Sequence, residues 1–354
     1  MAEDASRALT YAALKLFRFR QFLWLAVLLF EESASSAAAS PVPVVDLHVD
    51  LSYQFNFKAQ DFAASSGQFS IEAMLRGGVS GVVLPLFVPR DASPTGPRLA
   101  DLERSYQRVS QALAHTQPFA SPAPTCAAEP GTVRTFYAFE GAGPLADDPD
   151  SLRLWQERGL RIVGLVHTQA NELASSSGDA PQKPFGLTER GRVLVRRAFG
   201  LGLVVDVSHA SDRAVTDILS LANEVAGVVI ATHSNARALA DHPRNLNDAQ
   251  LRAIAATGGV IGVNFHGPFL ARGRQAHLSD VVKHVQHLRQ VAGIEHVAIG
   301  SDFEGDIRPP EELRDASRFP ALAAALARAG FSAGEVRQIF GGNALRVLCA
   351  GRRD

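Results

Sequence analysis

Short apolar runs in this chain repeatedly end in histidine, aspartate or glutamate. The first is "VVDLHVD", in which Asp46, His48 and Asp50 alternate with Val45, Leu47 and Val49. On an extended strand alternate side chains share a face, so this spacing gathers three ionisable groups on one side of an apolar segment. Further along, Glu140 closes "YAFE", His167 closes "IVGLVH", His209 closes "VVDVSH", His233 closes "VIATH" and Asp302 closes "AIGSD". A lone histidine at a strand end is ordinarily structural. A series of buried runs that all end this way is hard to explain by packing, because buried charge is costly unless paired or bound to a cation. His48, His167, His209 and His233, with carboxylates beside them, fall within the usual ligand set of zinc or a similar divalent ion. The supply exceeds the two histidines and one carboxylate that one catalytic ion needs, and a carboxylate such as Glu140 can bridge two. Two-metal hydrolases hold their ions roughly 3.5–4 Å apart around a shared water. None of the four lysines, Lys15, Lys58, Lys183 and Lys283, closes a run, so Glu140 is the available bridge.

Such groups need a frame that brings strand ends together. Eight β-rich runs recur after residue 40: Val42–Asp50, Val79–Val88, Thr135–Gly141, Arg161–His167, Leu203–His209, Gly227–Ser234, Gly259–His266 and His296–Phe303. Most are unbroken Val/Ile/Leu segments, as in parallel strands covered on both faces. Amphipathic stretches lie between them, among them Leu99–Thr116, Ser211–Ala226, Asp248–Thr257 and Ser279–Ala292, with Asn247 and Ser279 placed as helix caps. Eight strands alternating with helices over about 300 residues predict an α/β fold of the (β/α)8 TIM-type barrel class. The C-terminal "ALAAALARAGFSAGEVRQIFGGNALRVL" adds helices on its outside. In such a barrel catalytic groups stand at the C-terminal ends of strands, where these residues fall. No glycine-rich phosphate loop follows a strand, which removes the commonest nucleotide-binding reading.

The 354 residues are 46% hydrophobic and 20% charged, which suits a globular chain with a sizeable core. A formal net charge of -1 gives no sign of a nucleic-acid partner. The two cysteines, Cys126 and Cys349, form no metal-binding spacing, and the sequence leaves open whether they pair. Residues 1–40 stand apart from 41–354: "LKLFRFRQFLWLAVLLF" followed by "SASSAAAS" has the order of a secretory signal peptide, cleaved near Ala39. Export to a periplasm, membrane surface or the outside follows from that reading. Glu31 and Glu32 after the apolar run fit the competing one, a hydrophobic extension of a cytoplasmic protein.

The motifs "DLHVDL", "FEGAGPL", "GLVHTQAN", "VVDVSHAS", "THSNARALADHPRNLND" and "IGSDFEGD" resemble, in order, those of the membrane (renal-type) dipeptidase family, zinc metallopeptidases of the amidohydrolase superfamily. The resemblance spans roughly residues 43–350. It implies a zinc dipeptidase with two divalent ions, in which His48 and Asp50 hold one ion, His209 and His233 the other, and Glu140 bridges. His167 and Arg244 would bind substrate and Asp302 would be catalytic. The segment Glu172–Pro184 matches least, which bears on substrate preference more than on chemistry.

The chemistry expected of these residues is hydrolysis by a hydroxide held between the ions, with His167 steadying the oxyanion and Asp302 moving the proton. Asp46 is expected to orient a ligand from behind. Arg244 in "DHPRNL" can grip a free carboxylate with two parallel hydrogen bonds; Arg237 shares its loop and is the alternative anion binder. His266 is a minority candidate for the pocket wall. His284 and His287 read as solvated, His115, His242, His277 and His296 as surface residues, and Trp155 and Tyr137 as packing. Rival functions are an amidohydrolase acting on N-acyl amino acids, cyclic amides or lactones, and a catalytically dead barrel kept for binding. Partners other than a small carboxylate-bearing substrate, such as a second copy in a homodimer or a membrane, are left open.

Overall fold

The unit Pro41–Asp354 is built on eight parallel strands: β1 (Val44–Asp46), β2 (Val79–Leu86), β3 (Arg134–Glu140), β4 (Leu160–Gly164), β5 (Val204–Asp206), β6 (Val229–Ile230), β7 (Ile261–Val263) and β8 (Val297–Ile299). This computed structural model describes residues 42–350, apart from 62–66, 93–95, 121–125 and 127–130. The signal-peptide reading therefore lies outside the described residues. Each strand from β1 to β5 pairs with its successor, β7 pairs with β8, and β8 returns to β1 at Asp46↔Ile299. A bridge between Ala231 and Ile261 joins the remaining edges: Ala231 N–H donates to Val260 O (3.0 Å) and Gly262 N–H to Ala231 O (2.8 Å). The sheet is thus a closed barrel without free edges. Closure there requires glycine, since a Cβ at Gly262 or Gly300 would lie 1.9 or 1.8 Å from Thr232 O.

Strand alternation sorts the apolar residues into two buried sets. Val83, Phe136, Ala138, Ile162, Val204, Ile230, Val260 and Ala298 form the smaller set inside the barrel. Their neighbours Val82, Leu84, Tyr137, Phe139, Val163, Val205, Val229 and Val297 join the larger set beneath the helices. Trp155 and Tyr137 pack as expected: Trp155 meets Phe139 edge-on at 5.1 Å, and Tyr137 bonds Ser110 at 2.9 Å. Helix Asp248–Ala256 starts at Asn247, whose side chain accepts from Gln250 N (3.0 Å). Ser279 is not a cap, because the helix Leu278–Ala292 begins one residue before it, with His277 at the cap.

Helix Phe319–Arg328 packs outside the barrel, but the last helix, Asn343–Leu348, does not: its Ala344, Val347 and Leu348 join the interior set. Asn343 fixes it by donating to Ile294 O and Val297 O, both at 2.8 Å, where β8 begins. The same end carries a disulfide between Cys126 and Cys349, with Cα atoms 5.7 Å apart across 223 residues of sequence.

Candidate metal centre

Most strands stop pairing before the residues that ended the apolar runs. β1 ends at Asp46 and β5 at Asp206, so His48, Asp50 and His209 stand on the loops just beyond. The expected single face of Asp46, His48 and Asp50 is therefore not formed. Asp46 turns to the backbone, accepting at Oδ1 from His48 N (3.2 Å) and Ser301 N (2.9 Å), and so ties β1 to the end of β8. It supports His48 through its main chain, not its ring. Glu140, the last residue of β3, continues the interior-facing series Phe136, Ala138. His209 and Asp302 both have left-handed backbones, at φ 68° and 67°, a sparsely used region that turns their side chains over the barrel mouth.

The buried side chains meet around one oxygen. Glu140 Oε1 lies 3.1 Å from His209 Nε2, 3.5 Å from His48 Nε2, 3.6 Å from His233 Nε2 and 4.0 Å from His167 Nε2. Asp50 Oδ2 is 3.6 Å from His48 Nε2, and Asp302 joins that pair with all three ligand atoms within 4.8 Å of one another. His209 Nε2 and His233 Nε2 are 3.0 Å apart. Two nitrogens on one tetrahedral zinc, each at about 2.0–2.1 Å, would be roughly 3.3 Å apart, so these rings converge as co-ligands do. His48 Nε2, fully buried, has no hydrogen-bond partner among the described residues. An orphaned lone pair facing carboxylates suits a cation, and the donor set of imidazole and carboxylate fits zinc.

Charge bears out that fit. Burial pushes the pKa values of His209 and His233 well below the ordinary value, aided by Arg244, so both rings are neutral as ligands must be. Burial also opposes a charge on His48, yet Glu140 and Asp50 outweigh it and raise its pKa to about 10. Burial raises Asp50 well above its ordinary value. Glu140 moves the other way: burial opposes its charge, and His167 and His48 overcome it. A pocket that draws a proton onto a buried histidine is one whose potential favours a cation.

Around this cluster stand the remaining expected residues. Burial lifts Asp302 to about 6, and Asn264 donates to its Oδ2 at 2.9 Å. His167 is half-buried between Phe87 (4.3 Å) and His209 (4.4 Å). Arg244 is buried, stacked over Phe269 at 5.5 Å, with Nη2 3.4 Å from His233 O. Among the described residues no carboxylate pairs with it. Arg237 is committed elsewhere, forked onto Asp212 at 2.7 and 2.8 Å and donating to Asn245 O, so it is no anion binder. The segment Glu172–Pro184 contributes to a cavity of about 450 Å³ whose wall includes Ser177, Lys183, Arg213 and Arg272. Ser177 N–H donates to His209 O at 2.8 Å.

Two histidines read as solvated are not. His284 is fully buried, accepting at Nδ1 from Ala236 N (3.1 Å) and facing Leu270 O with Nε2 (3.1 Å). His287 pairs with Asp248 at 2.7 Å. His266 is half-buried against Phe269, its Nδ1 accepting from Arg308 N, and does not join the cluster. Asn264, Asp206 and Thr232 escaped the sequence reading. Each is a polar residue on the interior-facing parity of its strand, the first after the apolar layer stops, and that parity was the available signal.

The profile of the family described as membrane dipeptidase (peptidase family M19) matches residues 34–351. The dipeptidase aclJ of Aspergillus oryzae is 28% identical over 337 residues, covering 87% of this chain and 78% of that protein. A crystal structure of a metallopeptidase called dipeptidase AC superposes with a TM-score of 0.76 at 27% identity, covering 87% of this chain and 98% of its own. A metallopeptidase from Rhodobacter sphaeroides, crystallised with a phosphinate mimic of the dipeptide L-Ala-D-Ala, gives 0.70 at 26% identity, over 87% and 99%.

Proposed function

The chain belongs to the membrane dipeptidase family, and from that premise we propose how its site divides the work among metal binding, substrate binding and proton transfer. It is a metal-dependent dipeptidase, a hydrolase of the metallopeptidase class. In our reading the metal is a pair of zinc ions. His48 and Asp50 hold one, His209 and His233 the other, and Glu140 joins them. The observation that carries this reading is the convergence on Glu140 Oε1 of three histidine Nε2 atoms drawn from both ligand pairs, at 3.1–3.6 Å. Bound there, the ions would supply Lewis acidity and lower the pKa of a bound water to about 7.

The side chains supply the rest. Arg244 clamps the terminal carboxylate of the dipeptide, which suits a buried guanidinium without a carboxylate partner among the described residues. His167, at the open side of the cluster, steadies the carbonyl oxygen as it gains charge. Asp302, steadied by Asn264, takes the proton of the attacking water and hands it to the leaving amine. The dipeptide mimic held by the Rhodobacter sphaeroides relative supports a dipeptide as substrate. Export is supported by the disulfide, which suits an oxidising compartment. No helix among the described residues is long and apolar enough to cross a membrane.

The test is metal content together with turnover of a small dipeptide panel, with and without chelator. We expect close to two zinc ions per chain, activity lost with the metal, and both ions weakened by Glu140→Gln. A single tightly bound ion with Glu140 dispensable would overturn the two-ion centre.

A further inference from the structure

Behind the metal-facing rings lies a hydrogen-bond chain that the catalytic reading leaves unused. Thr232, fully buried, has its hydroxyl oxygen 2.5 Å from Asp206 Oδ2, 2.8 Å from His233 Nδ1 and 3.3 Å from His48 Nδ1. Ser208 Oγ also lies at 3.3 Å, and it accepts the backbone N–H of His233 at 3.1 Å. Asp206 is itself fixed: its Oδ1 accepts from Ser208 N (2.8 Å) and Thr232 N (2.9 Å), which turns Oδ2 to the hydroxyl.

A hydroxyl has one hydrogen to give and two lone pairs to offer. The short contact with a carboxylate oxygen claims the hydrogen. Both lone pairs then remain for donors, and the two ring Nδ1 atoms are there to fill them. A ring so held donates from Nδ1, which leaves Nε2 as the atom that takes a cation, and both Nε2 atoms face Glu140 Oε1, at 3.5 and 3.6 Å. The two rings lie against each other, centroids 3.8 Å apart, which is how one oxygen reaches both. His209 has no such support, since its buried Nδ1 is without a hydrogen-bond partner among the described residues.

We propose that Thr232, anchored by Asp206, is a positioning residue that fixes the tautomer and orientation of His48 and His233 together, so that a single hydroxyl prepares one ligand of each metal ion. The assignment of those two ligands to different ions rests on the two-ion reading above. The tautomer assignment does not.

The test compares wild type with Thr232→Val, Thr232→Ser and Asp206→Asn. Zinc affinity is measured by chelator competition, the His233 tautomer by ring ¹⁵N NMR of the metal-free protein, and folding by thermal unfolding. Valine keeps the shape of threonine and removes the acceptor. Zinc affinity should fall roughly 10–100-fold for both ions, the usual effect of losing a group behind a ligating histidine, and serine should restore it. Asp206→Asn reverses the chain without changing its shape. The two backbone donors hold the amide oxygen at the Oδ1 position, so its NH₂ points at Thr232 and donates. The hydroxyl must then give its hydrogen elsewhere; His233 Nδ1 at 2.8 Å is nearer than Ser208 Oγ at 3.3 Å, so His233 should switch to the Nε2–H form. His209 should be unchanged in every variant. Wild-type zinc affinity in folded Thr232→Val, loss confined to one ion, failure of serine to rescue, or an unaltered His233 tautomer in Asp206→Asn would each overturn the proposal. Should Thr232→Val fail to fold, the Asp206→Asn tautomer decides. If wild type binds a single ion, the two-ion reading fails while the His233 tautomer still tests the role of Thr232.

Discussion

Replacing Asp302 with asparagine separates proton transfer from metal binding, and the surroundings define what the change does. Asn264 Nδ2 donates to Asp302 Oδ2, and its own amide oxygen accepts from His266 N at 2.5 Å, so Asn264 cannot turn over without losing that bond. An asparagine at 302 must therefore present its oxygen to Asn264. Its NH₂ then stands where the second carboxylate oxygen faced His48 and Asp50, and a basic oxygen becomes a donor. The backbone tolerates the exchange, because asparagine adopts the left-handed conformation of this position as readily as aspartate. The expected variant folds, keeps its zinc and binds substrate, and loses roughly 10²–10⁴ in kcat, or about 2.7–5.5 kcal/mol of barrier. Bound zinc and kcat are measured on one preparation. If Asp302 is instead a ligand beside His48 and Asp50, metal and activity fall together and added zinc restores part of both. Full metal with near-normal turnover would remove Asp302 from the mechanism.

Three further outcomes are expected. Arg244→Met should cut kcat/KM on free dipeptides by about 1.5–3 kcal/mol, one to two decades, and leave amidated dipeptides little changed; equal losses on both would refute the carboxylate clamp. His284, held neutral by burial with its pKa lowered to about 4, binds its proton in the unfolded chain first, near pH 6.5. Its contribution is therefore complete above pH 6.5 and is lost as pH falls towards 4, by at most roughly 3 kcal/mol. Denaturant unfolding of wild type and His284→Gln at pH 7 and 4.5 should show the smaller acid loss in the variant, and identical losses would refute the assignment. Cys349→Ser opens the link between the end of the chain and the segment before β3, and should lower stability by about 2–5 kcal/mol under oxidising conditions; an unchanged melting temperature would mean the bridge does not form in solution.

The barrel was legible because its strands are covered on both faces, so most wrote a continuous Val/Ile/Leu run and the count of apolar runs pointed to the architecture. Their lengths were not. Pairing in β5, β6, β7 and β8 spans two or three residues, while the apolar runs continue along the mouth loops, where burial and not hydrogen bonding demands hydrophobic residues. The final helix was misjudged for the same reason. Its apolar face reads identically whether it covers the barrel wall or its lower end, and only the bonds of Asn343 to the start of β8 decide between them.

The site divides along a similar line. Charged and imidazole groups at the ends of apolar runs stood out because burying them needs a partner, and that argument found Glu140, His48, His209, His233 and Asp302 without knowledge of the fold. Thr232 and Asn264 carry no such signal: a neutral hydroxyl or amide is cheap to bury once bonded, so nothing about its type marks it. What marks them is parity. Val260, Gly262 and Asn264, or Ile230 and Thr232, or Ala298, Gly300 and Asp302, step along the inner face of the barrel until the apolar layer stops. The first polar residue past that layer must face the mouth whatever its chemistry. Applied to β1, the same rule fails. The pairing of β1 with β2 shifts between Val44 and Val45, which puts Val45 and Leu47 on the inner face, and the chain bends after Asp46 before His48 reaches the cluster. The stretch that announced the metal site most openly is thus the one whose geometry alternation alone could not give. There the direction of the ring is set from across the barrel, by a hydroxyl 184 residues away.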